Sequence, residues 1–171
     1  MWFIAAAMAV LAAACRPVPD IDIAAPKRDS LAERMISANR IMAQTEELQI
    51  DTYLERLHWN ATRLGGGARV MVTTSGSGHQ VQPDDTVAIA YSVEDLAGRV
   101  IYSHIDDTVV AGRLKPTRGL DAALLTLRQG AKATVLMPSE QAYGVVGDGQ
   151  SIGQRVVLVC KVEVGPILNR Q

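Results

Sequence analysis

The chain has 171 residues, of which 48% are hydrophobic and 20% are charged, and its formal net charge is −1. This composition is typical of a globular protein with a core, and the length suits one ordinary domain with an appendage or two small domains. The near-neutral charge excludes an electrostatic argument for a nucleic-acid partner or for attraction to an anionic membrane surface.

The N-terminus predicts a processing signal. Residues 2–14 form an uninterrupted apolar run that is too short to cross a bilayer comfortably, and small residues lead from it to Cys15. This pattern resembles a bacterial lipoprotein signal, which predicts a signal peptide over residues 1–15 with lipidation of Cys15. Ala12 stands where such signals have Leu, and no Lys or Arg precedes the run. A plain signal peptide and an N-terminal anchor helix therefore stay open as alternatives.

Lipidation at this position would decide the location of the protein. A lipid on Cys15 makes the membrane a partner and places the chain at the cell envelope, facing the periplasm or the cell surface. Residues 16–28 carry three prolines and are predicted to be an extended tether away from that membrane.

A helical lead is predicted over residues 29–63. Ser30 and Glu33 have the spacing of a capping box, which opens a helix, and a break is predicted near residues 47–51. Apolar residues recur at helical spacing in two stripes, Leu31, Met35, Ala38, Ile41, Met42 and Leu48, followed by Ile50, Tyr53, Leu54 and Leu57. Such stripes must pack on each other, on the next domain or on a second copy, so a homodimer through these helices is one expectation.

From Leu64 onward the apolar period changes from 3.6 to 2, which predicts strands. Strands are predicted over residues 68–74, 84–93, 99–104, 131–137 and 155–164, and one short helix over residues 120–130 that ends at Gly130. Antiparallel strands with one internal helix give an α+β domain over residues 64–171.

The cysteine and histidine residues predict no metal site and no reactive thiol. Cys160 shares the register of four apolar residues in an alternating run, which indicates a small core residue. These four are Val156, Leu158, Val162 and Val164. The histidines at 58, 79 and 104 have no partner at ligand spacing, and no cofactor is predicted.

The segment SEQAYGVVGDGQSI, residues 139–152, concentrates three glycines. A phosphate-binding loop needs a helix whose N-terminus meets the phosphate, whereas here a predicted strand follows. Asp148 alone offers too few oxygen ligands for calcium. From the local pattern, this segment is predicted to be a wide turn between two strands.

The order of these pieces resembles the FKBP-type peptidyl-prolyl isomerases. RGLDAALLTLRQGAKATVLMPSEQAYGVVGDGQSIGQRVVLVCKVEV resembles the second half of that family, with its helix start, its Ala-Tyr-Gly motif, its glycine-bearing loop ending in Ile and its closing strand. VQPDDTVAIAYSVEDLAGRVIYS resembles the first half. The resemblance covers about residues 68–164. It implies a curved antiparallel sheet wrapped on one short helix with a shallow apolar pocket between them, and the helical lead resembles that of envelope-anchored members.

The resemblance also implies a site. Tyr143 matches the residue whose hydroxyl meets the substrate carbonyl, Tyr91 matches a wall residue, and Thr117 falls where a backbone N–H binds the peptide. These three are the predicted catalytic residues. The predicted substrate-binding residues are Ile101, Tyr102, Leu120, Val145, Ile152 and Cys160.

Several of these positions depart from the family pattern. Ile101 replaces an aromatic residue, Tyr102 replaces the pocket aspartate, Leu120 replaces the floor tryptophan and Cys160 replaces a phenylalanine. Residues 64–171 contain no Phe or Trp and three Tyr. Because aromatic side chains supply much of the contact area in such pockets, these changes predict a pocket that is wider, flatter or collapsed.

Three functions follow as hypotheses. The first is a weak, lipid-anchored peptidyl-prolyl isomerase that acts on unfolded or extended proline-containing polypeptides. The second is a non-catalytic chaperone or peptide-binding module on the same fold. The third is a docking lipoprotein of an envelope assembly, such as a secretion or gliding apparatus.

Overall fold

The computed structural model describes residues 30–169. The predicted signal peptide, the lipidation of Cys15 and the tether over residues 16–28 lie outside the described residues. Two helices and six strands follow each other in the order α1 (Leu31–Leu57), β1 (Thr62–Arg63), β2 (Arg69–Ser75), β3 (Thr86–Asp95), β4 (Val100–Val110), α2 (Arg118–Leu124), β5 (Ala131–Met137) and β6 (Leu158–Asn169). Within the described residues, neither helix has the length and apolarity needed to cross a membrane.

All six strands form one antiparallel sheet in the order β1-β2-β5-β6-β3-β4. The predicted alternation in β3 is confirmed, because Val87, Ile89 and Val93 are buried while the residues between them are less so. Cys160 is buried in β6, as its register predicts. Together with the short helix α2, the sheet confirms the predicted α+β architecture.

The sheet contributes to two apolar clusters. The main core joins one set of strand residues to α2, and it includes Leu120, Leu124, Val135, Met137, Leu158 and Cys160. The second cluster takes the alternate residues of β5 and β6, Leu136 and Val159, with Val157, and packs them with Ile50 and Leu54 of α1. The central strands β5 and β6 are therefore buried on both faces, which explains their nearly continuous apolar sequence.

The first turns of α1 begin with the predicted capping box. The Ser30 N–H donates to Glu33 Oε2 at 3.0 Å, and the Glu33 N–H donates to Ser30 Oγ at 3.2 Å. Two N–H groups that lack helical partners are thereby satisfied, so the capping-box prediction is confirmed.

The compact units of the chain divide between Met35 and Ile36. Residues 36–63 therefore belong to the same unit as the sheet, whereas the sequence-based division separated them from it at Leu64. The reason is burial, because Ile50 is 0% exposed and Leu54 is 8% exposed within the second cluster.

Helix α1 corrects a second prediction. It is one continuous helix with no break near residues 47–51, and its sequence contains neither Gly nor Pro. The apparent break in the apolar pattern marks a change of surroundings, since Ile41 and Leu48 are 63% and 66% exposed and Ile50 is buried. The homodimer expected through this helix stays a prediction.

Helix α2 is shorter than the predicted span of residues 120–130. It ends at Leu124, and the chain then makes tight turns in which the Thr126 N–H donates to the Ala123 carbonyl at 2.9 Å. Residues 127–129 leave the helix to pair with residues 78–81, as in the bond from the Val81 N–H to the Leu127 carbonyl at 3.0 Å. Long-range backbone pairing thus overrides the helical spacing of the leucines.

The last strand lies further along the chain than predicted. β6 covers Leu158–Asn169 in place of residues 155–164. Arg155 has φ +54°, which is incompatible with a strand, and Val157 packs in the second cluster before β6 begins. The strand continues past Pro166 because its end pairs with β3, with Ile167 opposite Val87.

Candidate functional site

A cavity of about 430 Å³ opens beside β3 and α2. Five predicted site residues line it, namely Tyr91, Thr117, Leu120, Tyr143 and Cys160. Its buried apolar lining comes from the main core, in which Leu120 is 3% exposed and Cys160 is 1% exposed. At Leu120 and Cys160 the cavity therefore has an aliphatic side chain and a thiol where the resemblance implies aromatic rings.

Two tyrosines, Tyr91 and Tyr143, line this cavity. Within the described residues, neither the Tyr91 nor the Tyr143 hydroxyl makes a hydrogen bond to the protein, and neither is a buried unsatisfied atom. Burial, with a smaller contribution from Tyr143, raises the pKa of Tyr91 to about 12. Burial is also the main cause that raises the pKa of Tyr143, and Asp148 adds to it. Both phenols are thus neutral hydrogen-bond donors at physiological pH.

Thr117 supplies a third donor at the edge of the cavity. It precedes the first residue of α2, and its carbonyl accepts the Asp121 N–H at 3.1 Å. Within residues 30–169, no hydrogen bond engages the Thr117 N–H. A peptide carbonyl in the cavity could accept from this N–H, because the first N–H groups at a helix N-terminus have no intrahelical acceptor.

The thiol of Cys160 has no chemical role at this site. It is the free cysteine of the described residues, and burial raises its pKa to about 12. Because the thiolate is the reactive form, Cys160 serves as a small apolar lining residue at neutral pH.

The loop that carries Tyr143, residues 139–155 between β5 and β6, is closed by Asp148. Asp148 Oδ1 accepts the N–H groups of Gln150 and Ile152, each at 2.8 Å. Asp148 Oδ2 accepts the Tyr102 hydroxyl, and this bond is the main cause that lowers the pKa of Asp148 and raises that of Tyr102. The loop between Tyr143 and Ile152 is therefore attached to β4 through one carboxylate.

A family model for FKBP-type peptidyl-prolyl cis-trans isomerases matches residues 77–165, which are more than half of the chain. The chain belongs to the FKBP family. The matched residues run from the turn before β3 into β6 and include the residues that line the cavity.

Solved structures support this FKBP fold. A peptidyl-prolyl cis-trans isomerase from Pseudomonas syringae pv. tomato has 22% identity and a TM-score of 0.62, and the match covers 74% of this chain and 93% of the isomerase chain. FkpA from Escherichia coli has 22% identity and a TM-score of 0.60, covering 79% of this chain and 66% of its own. The N-terminal domain of FKBP42 from Arabidopsis thaliana has 20% identity and a TM-score of 0.54, covering 61% of this chain and 89% of its own. At these identities the likeness concerns the fold alone. No curated protein sequence matches the chain significantly.

Four predicted substrate-binding residues lie outside the lining of the FKBP cavity. Ile101 and Tyr102 are half-buried at the margin of the main core, and Ile152 is 4% exposed within that core. Val145 is 52% exposed on the loop. Tyr102 lies outside the lining because its hydroxyl is used by Asp148, so it acts on the loop and contributes no pocket wall.

Sequence reasoning missed much of the remaining lining. The strand alternation carried the signal for Ile89 and Val93, which share a face with Tyr91, and for Leu158, which shares one with Cys160. The rim before Thr117 had no such signal, because it is an irregular connection whose direction depends on tertiary contacts. This rim comprises Arg113, Leu114, Lys115 and Pro116.

Proposed function

We propose that this chain catalyses cis–trans isomerisation of X-Pro bonds in extended polypeptides, with low activity. The observation that supports the proposal is the cavity that Tyr143 and Thr117 line together with buried apolar residues. Within residues 30–169, neither the Tyr143 hydroxyl nor the Thr117 N–H makes a hydrogen bond. The reaction needs rotation about an amide bond across a barrier of about 18–20 kcal/mol, and it needs neither a nucleophile nor proton transfer. A site of this composition contains what such a rotation requires.

Each group has a distinct part in the proposed reaction. The apolar lining takes the proline ring out of water and disfavours the charge-separated planar amide relative to the twisted one. The Thr117 N–H and the Tyr143 hydroxyl donate to peptide carbonyls and hold the chain while the bond turns. A tyrosine hydroxyl is protonated throughout the neutral range, and burial raises the pKa of Tyr143 further, so this donor is present there.

The floor of the cavity is the reason for low activity. Leu120 and Cys160 offer less contact area than aromatic residues would, and residues 64–171 contain no Phe or Trp. A proline ring held by fewer contacts gains less binding energy, and less of it is available to stabilise the twisted amide.

Replacing Tyr143 with Phe is expected to lower kcat/KM by about threefold to tenfold, because the variant loses one neutral hydrogen bond to the substrate. The measurement is a protease-coupled assay of short X-Pro peptides, whose uncatalysed isomerisation takes tens to hundreds of seconds. Tyr53→Phe is the matched control. Tyr53 lies on α1, packs against Trp59 and does not line the cavity, so this variant should keep wild-type activity. A wild-type protein that does not exceed the uncatalysed rate would refute the proposal.

The lining of the cavity also favours a second candidate, a peptide-binding chaperone without catalysis. With Leu120 and Cys160 below the proline position, the site can hold an extended chain without enforcing a twisted amide. This candidate gains support if the protein suppresses aggregation of denatured lysozyme while isomerising no peptide. Without that suppression, a docking role in an envelope assembly is the hypothesis left.

The proposed location is the cell envelope, with the chain anchored by a lipid on Cys15. The apolar run that ends in small residues before Cys15 supports this proposal. In a bacterial host, Cys15→Ser is expected to abolish incorporation of radiolabelled palmitate and to release the protein from the membrane fraction. Label retained in the Cys15→Ser protein would contradict the anchor.

A further inference from the structure

Helix α1 contains a carboxylate that the proposed reaction does not use. Glu46 is 7% exposed, and no basic side chain within residues 30–169 forms an ion pair with it. Its two oxygens accept from one residue, the Ser139 N–H at 2.7 Å and the Ser139 Oγ–H at 2.7 Å. Burying an ionised group is costly unless charge-assisted hydrogen bonds compensate, so these two bonds are strong and specific.

Ser139 begins the loop that carries Tyr143. Its carbonyl accepts the Ala142 N–H at 2.9 Å and the Gly144 N–H at 2.8 Å, so the backbone on both sides of Tyr143 is tied to Ser139. Any displacement of Ser139 is therefore passed to Tyr143 through two hydrogen bonds.

The far end of the loop meets the same helix. The Arg155 N–H donates to the Gly144 carbonyl at 2.9 Å, and Arg155 Nη2 donates to Asn39 Oδ1 at 3.1 Å. Helix α1 thus contacts both ends of the loop, with a buried carboxylate at Ser139 and an exposed amide at Arg155. The buried contact is the stronger one, because water competes for the exposed one.

The geometry points to Glu46 as a positioning residue for the proposed isomerase, one that fixes the Tyr143 hydroxyl in the cavity through Ser139. This inference rests on the proposed function for its consequence in catalysis. The physical basis is that misplacing a group by about 1 Å can cost up to about a hundredfold in rate.

The test uses the full-length protein and four variants. Glu46→Ala removes both acceptors and is expected to lower kcat/KM about threefold to tenfold, and by no more than Tyr143→Phe does, because it acts by misplacing the Tyr143 hydroxyl. Glu46→Gln should stay within about twofold of wild type, because its amide oxygen can accept the Ser139 N–H and its amide nitrogen can donate to Ser139 Oγ. Ser139→Ala, which removes the hydroxyl contact alone, should fall between the two. Glu47→Ala is the matched control, because this neighbouring carboxylate pairs with Arg63 at 2.8 Å and does not bond to Ser139, and it should keep wild-type activity.

Coupling to Tyr143 separates positioning from general destabilisation. If Glu46 acts through the Tyr143 hydroxyl, Glu46→Ala should lower kcat/KM much less in a Tyr143→Phe background than in wild type. Equal effects in the two backgrounds would overturn the inference, and so would wild-type activity of Glu46→Ala.

A second measurement keeps the inference testable if the protein proves inactive. Amide hydrogen exchange at Gly144, whose N–H donates to Ser139, should be about tenfold faster in Glu46→Ala and unchanged in Glu47→Ala. An inactive wild-type protein would refute the proposed function, whereas unchanged exchange at Gly144 would refute the positioning role of Glu46.

Discussion

Ile50→Ala is expected to lower the free energy of unfolding by about 2–5 kcal/mol, the cost of truncating a fully buried Ile. Ile50 is 0% exposed and packs in the cluster formed by Leu136, Val157 and Val159. The loss combines the transfer of the removed carbons with a cavity that its neighbours cannot fill, because Leu136 and Val159 are also held in the sheet. Chemical denaturation followed by far-UV circular dichroism measures it.

Leu48→Ala provides the matched control on the same helix. Leu48 lies two positions away and is 66% exposed, so its truncation should change the free energy of unfolding by no more than about 0.5 kcal/mol. Both substitutions introduce the residue with the highest helix propensity, which removes helix formation itself as an explanation of the difference. Equal stability of the two variants would show that α1 does not pack on the sheet in solution.

The Ile50 test also concerns function, because α1 packs against the residues on either side of the loop that carries Tyr143. The cluster that buries Ile50 contains Leu136 of β5, which ends just before the loop with Tyr143, and Val157, which follows the loop. Weakening this packing loosens both ends of that loop. A destabilised helix should therefore increase amide exchange between residues 139 and 155 before the remaining strands open.

Strands β3 and β5 could be predicted from sequence because their burial is one-sided in β3 and continuous in β5. Alternating Val87, Ile89 and Val93 determine which face of β3 is buried, and the apolar run of β5 matches the structure at both ends. The end of α2 could not be predicted, because Leu127 has helical spacing yet its carbonyl accepts the Val81 N–H. Local periodicity cannot anticipate a backbone pairing with a segment more than forty residues earlier in the chain.

Three of the predicted site residues that line the cavity belong to regular elements, whereas Thr117 and Tyr143 were predicted from the family resemblance alone. Tyr91, Leu120 and Cys160 line the cavity because a strand or helix face determines their direction. Tyr102 and Ile152 do not line it, because the Tyr102 hydroxyl of β4 and the Ile152 N–H both donate to Asp148, which lies in an irregular loop. The buried contact of Glu46 with Ser139 joins positions 93 residues apart, and nothing in the local sequence indicates it.

Gly147→Ala is expected to displace the loop that carries Tyr143. Because the Tyr143 hydroxyl is then misplaced, kcat/KM should fall at least about tenfold. Gly147 has φ +75°, and a Cβ there would lie 2.2 Å from the Ile152 carbonyl oxygen. That oxygen also accepts the Asp148 N–H at 3.1 Å, so the clash acts on the bond that closes the turn. Backbone must move to relieve it, because no flexible side chain is involved.

Gly149→Ala separates the clash from the cost of a left-handed backbone. Gly149 has φ +74°, almost the same as Gly147, and a Cβ there meets no atom within 4 Å. Alanine at either position costs about 1–2 kcal/mol for the left-handed conformation, whereas the contact with Ile152 is made at Gly147 and not at Gly149. Gly149→Ala should therefore keep most of the activity and the slow amide exchange of Asp148, and Gly147→Ala should lose both. Similar behaviour of the two variants would mean that conformational cost alone accounts for the glycines. A selective loss in Gly147→Ala would instead assign this glycine to the close approach of two backbone segments, Gly147 and Ile152, within the loop that follows Tyr143.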